Sequence, residues 1–152
     1  MGRNKYPEET VAKILDAALE LFCAQGYEGT SIQDIVDRLD GMTKGAVYHH
    51  FKSKEEIFNA AFDRAMTPIV EHRRSMLGVG NMTGAQKLKR LYAPESVVPQ
   101  IELWARMRPA ADPVKSSRLL AMQYQGSFNE SADGYLLPVI EEGIADGSIA
   151  CE

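Results

Sequence analysis

The chain has 152 residues, 45% of them hydrophobic and 25% charged, with a formal net charge of −4; this is a globular mix and excludes the disorder-rich classes. No apolar run approaches the roughly 20 residues needed to cross a bilayer, and residues 1–7 lack the apolar core of a signal peptide, so a cytoplasmic protein with no membrane partner is expected. The acidic balance argues against nonspecific coating of nucleic acid but leaves specific binding open, because screening beyond about 8 Å makes local charge decisive.

A short arm carrying Arg3 and Lys5 ends at Pro7, which suits the first turn of a helix. Val11, Ile14, Leu15, Ala18, Leu21 and Phe22 form the apolar stripe of that helix, which the spacing carries to about Gln25, with Gly26 as its stop. Thr30 and Ser31 are good N-cap residues, and Ile32, Ile35, Val36 and Leu39 line one face of a second helix. Asp40-Gly41 supplies a left-handed close, and Thr43 caps a third helix from about Lys44. In that helix Val47 and Phe51, four apart, point inward, leaving Lys44, Ala46, Tyr48, His49 and His50 outward or at the flanks. Between Gly41 and Lys54 there are three lysines and no carboxylate, so this surface attracts phosphate although the whole chain does not. Two short helices across a glycine turn, the second ending in rings and cations, have the layout of a DNA-reading helix-turn-helix.

Ser53 and Glu56 have capping-box spacing for a fourth helix with Ile57, Phe58, Ala61 and Ala65 on its apolar face. Gly78 to Gly84 reads as a loop, Thr83 caps a helix reaching Leu91 or Tyr92, and Pro94 opens another that runs past Trp104 to Arg108. Asp112-Pro113 starts a long helical segment through Leu119, Met122 and Phe128 and, past Gly134, to Ile144, with Pro138 expected to kink or split it. No alternating strand pattern occurs, so an all-α fold is expected. His72-Arg73-Arg74 reads as a solvated helix face. Cys23 and Cys151 belong to no CxxC or metal-type spacing; Cys23 reads as core filler. The adjacent histidines point about 100° apart on a helix and have no carboxylate or cysteine one turn away, so no metal and no cofactor are expected. No phosphate loop, nucleophile elbow or acid/base pair is present, and an enzyme is not expected.

Five blocks in order, Ile14 to Phe22, Gln25-Gly26-Tyr27, Thr30 to Ile35, Thr43 to Phe51 and Lys54 to Phe58, resemble the N-terminal domain of tetracycline-repressor (TetR) type transcriptional regulators. The one departure is Leu39 to Thr43, one residue longer than the usual turn. The resemblance implies a helix-turn-helix DNA-binding domain over 1–53 and a helical effector-binding and dimerisation domain over 54–152, in shortened form. It further implies a ligand-responsive repressor acting as a homodimer on a palindromic double-stranded DNA operator. On the matching positions, Tyr48 and Lys54 grip phosphates, Thr30 and Ser31 stand beside the duplex backbone, and Lys44, Gly45, Ala46 and His49 face base edges, with Thr43 at the helix start and His50 at the rim. A small-molecule effector is implied, and Trp104, Met107, Met122, Tyr124, Phe128 and Tyr135 are apolar or aromatic residues suited either to line its cavity or to fill plain core. The alternative function is a small-molecule-binding or dimerisation module that has lost DNA regulation.

Overall fold

The computed structural model describes residues 7–78, 80–108, 114, 117, 121 and 131–150. These residues are helical with intervening turns, and none of them is in a strand. Two compact units are present, one containing the chain up to Ala65 and the other containing Met66–Ala105 and the C-terminal helices.

In the first unit, helix α1 (Pro7–Gly29) buries Ile14, Leu15, Ala18 and Phe22 at the three- and four-residue spacing of one helix face. It is interrupted at Gly26, whose φ of 82° and ψ of 164° open to glycine alone without strain. The freed Gly26 carbonyl accepts the Thr30 hydroxyl at 2.8 Å. Of the two expected caps for α2 (Ile32–Asp37), Ser31 is the one used. Its Oγ accepts the Asp34 N–H at 3.1 Å, and the Asp34 carboxylate accepts the Ser31 N–H at 2.7 Å, which holds that carboxyl below the ordinary aspartate value. The following turn places Gly41 at φ 72° and donates the Met42 N–H to Leu39. Thr43 then caps α3 (Lys44–His50) through the Ala46 N–H at 3.2 Å.

Helix α4 (Lys54–Leu77) is opened by Ser53, whose Oγ accepts the Glu56 N–H at 3.1 Å. The Glu56 carboxylate reaches one residue further back than a capping box requires, to the Lys52 N–H at 2.6 Å. The helix continues through Pro68, an exposed position, where water can take up the carbonyl that proline leaves without a donor. Its first turns belong to the first unit and its remainder to the second.

In the second unit, Thr83 and Gln86 form the capping box of α5 (Gly84–Leu91), and α6 spans Pro94–Met107. A π-helical turn over Ala132–Leu136 runs directly into α7 (Leu137–Ala145), and the backbone stays helical at Leu136 and Leu137, so in place of the expected kink or split at Pro138 the helix changes from π to α just before it. The segment expected from Asp112-Pro113 through Leu119, Met122 and Phe128 lies mostly outside the described residues, as do Arg3, Lys5 and Cys151. Leu91, Tyr135 and Val139 form a buried cluster flanked by Leu77, Leu88 and Leu136.

The start of α5 is tied to the end of α7. Gly84 N–H donates to Asp146 at 2.8 Å, Ala85 N–H donates to the Ser148 hydroxyl at 3.0 Å, and Lys87 meets Glu142 at 2.6 Å. Hydrogen bonds from the Ser148 side chain, then from the Gly84 and Ser148 backbones, hold the Asp146 carboxyl below its ordinary value. Because the folded state favours the charged form, the contribution of Asp146 is complete above the ordinary aspartate value near 4 and fades as pH falls through the lower folded value. Thermal melts from about pH 5 to 3 are therefore expected to fall less steeply for Asp146→Asn than for wild type; parallel curves would remove Asp146 from the acid limb.

Candidate nucleic-acid interface

Three rings fix the corner on which the helix-turn-helix rests. Phe22, Tyr27 and Phe58 form a triangle with centroids 5.1 to 5.7 Å apart, bringing the end of α1 against the start of α4 through edge contacts. Burial, with Glu55 and Glu28 adding repulsion, pushes the Tyr27 phenol up. Onto this corner Lys54 folds inward. Its Nζ donates to the Tyr27 carbonyl at 2.7 Å and the Thr30 carbonyl at 2.9 Å, 4.1 Å from the centre of the Tyr27 ring.

Helix α3 is held by Val47, 0% exposed, and Phe51, 7% exposed, against a core that includes the buried Ile35 and Val36 of α2. That anchoring faces Thr43, Lys44, Gly45 and His49 to solvent and leaves Tyr48 48% exposed, with Ala46 and His50 half-buried. The His49 and His50 rings meet edge to face at 5.2 Å. A Cβ built on Gly45 meets only the Thr43 hydroxyl, at 3.9 Å, so the helix surface is flat there. Lys44 and Lys52 are exposed cations at its two ends. Lys52 has no role in the sequence reading, although the carboxylate-free run that contains it is a signal for one.

Two of the expected DNA-facing residues are committed inward. Thr30 is 1% exposed with its hydroxyl bonded to Gly26, and the Lys54 ammonium is taken by two carbonyls. Neither side chain is presented to the surface that Lys44, Tyr48 and His49 share; both instead brace it. Ser31 remains exposed at the start of α2.

The expected ligand residues are less gathered. Trp104 is 42% exposed and Met107 is buried, both on α6, and Tyr135 is buried beside α5 and α7. Met122, Tyr124 and Phe128 lie outside the described residues. Cys23 is half-buried, and that burial pushes its thiol up. Among the described residues no group of three or more His, Cys, Asp or Glu side chains could hold a metal ion, and no helix is long and apolar enough to cross a membrane.

A capped recognition helix on a three-helix scaffold defines the class of helix-turn-helix domains. Residues 14–61 match the family described as bacterial regulatory proteins, tetR family. The chain is 44% identical over 62 residues to the HTH-type transcriptional regulator SrpR of Pseudomonas putida, covering 41% of this chain and 29% of that protein. It is 41% identical over 64 residues to the HTH-type transcriptional regulator AcrR of Shigella flexneri, covering 42% of this chain and 29% of that one. The matched segment thus spans under a third of each of these relatives. A solved structure of a Clostridium perfringens putative fatty acid metabolism regulator superposes with a TM-score of 0.57 at 23% identity, over 92% of this chain and 74% of that one, which shows the shared all-α fold. The family match thus lies within the N-terminal part of this chain, over residues 14–61.

Proposed function

We propose that this protein is a DNA-binding transcriptional regulator, acting as a homodimeric repressor whose two copies of α3 enter successive major grooves of a palindromic operator, about 34 to 36 Å apart. The observation that carries this reading is the surface of α3: Lys44, Gly45, Tyr48 and His49 stand exposed on a helix pinned by Val47 and Phe51, within a run holding no carboxylate. Lys44 and His49 reach base edges, the Ala46 methyl meets thymine, and Tyr48, Lys52, Ser31 and His50 line the phosphates. An effector bound in the second unit acts through α4, which passes from that unit into the first. An effector that prefers one conformation by about 1 to 3 kcal/mol changes operator affinity 5- to 150-fold.

Gly45→Leu separates binding from folding. The scaffold leaves room for the new side chain and leucine favours a helix over glycine by roughly 0.5 to 1 kcal/mol, so the melting temperature is expected to hold or rise. Close approach to the duplex is blocked, and affinity for the DNA upstream of the protein's own gene should drop at least about tenfold, roughly 1.4 kcal/mol. Fluorescence anisotropy and footprinting compare Gly45→Leu with wild type; a wild-type protein that protects no sequence, or a Gly45→Leu protein that binds as well as wild type, would overturn the reading.

A further inference from the structure

We propose that Arg73 and Ser96, in the second unit, form a site for the carboxylate of a small amphipathic organic acid. The assignment rests on the effector reading of that unit and gives the effector a chemical class.

Arg73 is only 8% exposed, while His72 and Arg74 on either side of it face solvent. Its Nε–H donates to the Ser96 carbonyl at 3.2 Å and its Nη1–H to the Tyr135 hydroxyl at 2.8 Å, and the Tyr135 O–H donates in turn to the Ser131 hydroxyl at 2.9 Å. Three helical elements, α4, α6 and the π-helical turn, thus converge on one guanidinium and fix its plane. The Ser96 hydroxyl, 1% exposed, is buried without a hydrogen-bond partner, and no bond from Nη2 to a described residue accompanies those from Nε and Nη1. Among the described residues Arg73 also has no ion-pair partner.

A buried hydroxyl with no acceptor is costly, and a largely buried guanidinium favours an anion beside it. A carboxylate supplies both at once, one oxygen on Nη2–H and one on the Ser96 O–H, in the charge-assisted geometry that guanidinium favours. The remainder of the ligand is set by the neighbours along each helix. Met66 and Val70 precede Arg73 by two turns and one on the same face of α4, and Leu103 follows Ser96 by two turns on α6; all three are buried. A single cationic head within apolar walls selects a monocarboxylate with an alkyl or aryl body over an inorganic anion or a neutral molecule.

The test uses the full chain with hexanoate and benzoate as probes, hexanol and benzyl alcohol as their neutral counterparts, and sulfate as an anion without an apolar body. Calorimetry is expected to show an acid binding more tightly than its alcohol and than sulfate, and to raise Tm by about 3 to 6 °C at ten times its Kd. Ser96→Ala, which removes only the unpartnered hydroxyl, should weaken that acid about tenfold while the ligand-free Tm stays within about 2 °C. Arg73→Met should abolish binding; if that variant does not fold, Ser96→Ala decides. Acids that bind no better than their alcohols, sulfate that binds as well as the acids, or affinity indifferent to Ser96 would each overturn the assignment. A bound acid that leaves DNA affinity unchanged would instead remove the effector reading and leave the site standing, whereas DNA binding without any acid binding would remove the site alone.

Discussion

Gly84→Ala is expected to destabilise the second unit by about 3 kcal/mol, a large part of the stability of a small domain. The added carbon would land on the Cα and amide nitrogen of Gly143 and 2.7 Å from the Val139 carbonyl oxygen. All of these are backbone atoms of α7 and cannot rotate aside. Gly143 is equally short of room for a side chain, since a Cβ there would run into the Ile149 side chain. Separating α5 from α7 also pulls the Gly84 and Ala85 amides from Asp146 and Ser148 and strains the Lys87 to Glu142 pair, each bond adding about 1 kcal/mol. Gly78→Ala is the matched control, since its Cβ meets only the Ser75 carbonyl oxygen at an ordinary 3.8 Å; its denaturation midpoint should lie near that of wild type. Equal midpoints for the two variants would show that α5 and α7 are not held at backbone contact.

What the sequence discloses and what it hides divide by distance along the chain. The caps Ser31, Thr43, Ser53 and Thr83 are legible because each bonds an amide three residues ahead, and the inward direction of Val47 and Phe51 follows from helical spacing alone. The interior prolines are harder. Pro94 and Pro138 stand at helix starts as the rule predicts, but Pro68 and Pro99 sit inside helices that continue, because packing on the buried faces outweighs one lost hydrogen bond. The close crossing of Gly84 and Gly143 leaves no local trace in either segment.

The basic stretch around Arg73 shows the same limit in a side chain. Read as a run of charge it is a solvated face, and two of its three members are. The middle one lies on the apolar line of Met66 and Val70, a helical register that was available as a signal, yet its partners Ser96 and Tyr135 come from elements far along the chain. The outward placing of the α3 side chains is therefore legible, because one helix makes it. The inward placing of Thr30 and Lys54 depends on the corner between α1 and α4 and is not: the residue types suit a phosphate contact, but in this fold their side chains bond backbone atoms.

Lys54→Met is expected to weaken operator binding without changing its salt dependence. In this fold the ammonium neutralises the carbonyls that close α1 and turn the chain into α2, and its removal leaves the Tyr27 and Thr30 oxygens with less compensation. A hydrogen bond to a charged group contributes about 1.5 to 3 kcal/mol, and the side chain is half-buried, so a stability loss near the lower figure should accompany the substitution. The helix-turn-helix then loses the brace between α4 and the α1–α2 corner, and affinity falls because fewer molecules present α3 at the right angle. That kind of loss involves no released counterion. A phosphate contact behaves differently: deleting one lowers the slope of log K against log salt by about 0.9. Lys44→Met, which removes an exposed cation on α3, should show that reduced slope with little change in melting temperature, whereas Lys54→Met should show the converse. Were Lys54→Met to flatten the salt slope at unchanged stability, its ammonium would belong on the duplex, and the bonds to Tyr27 and Thr30 would describe only the protein free of DNA. The pair of variants thereby separates residues that touch the nucleic acid from those that aim them.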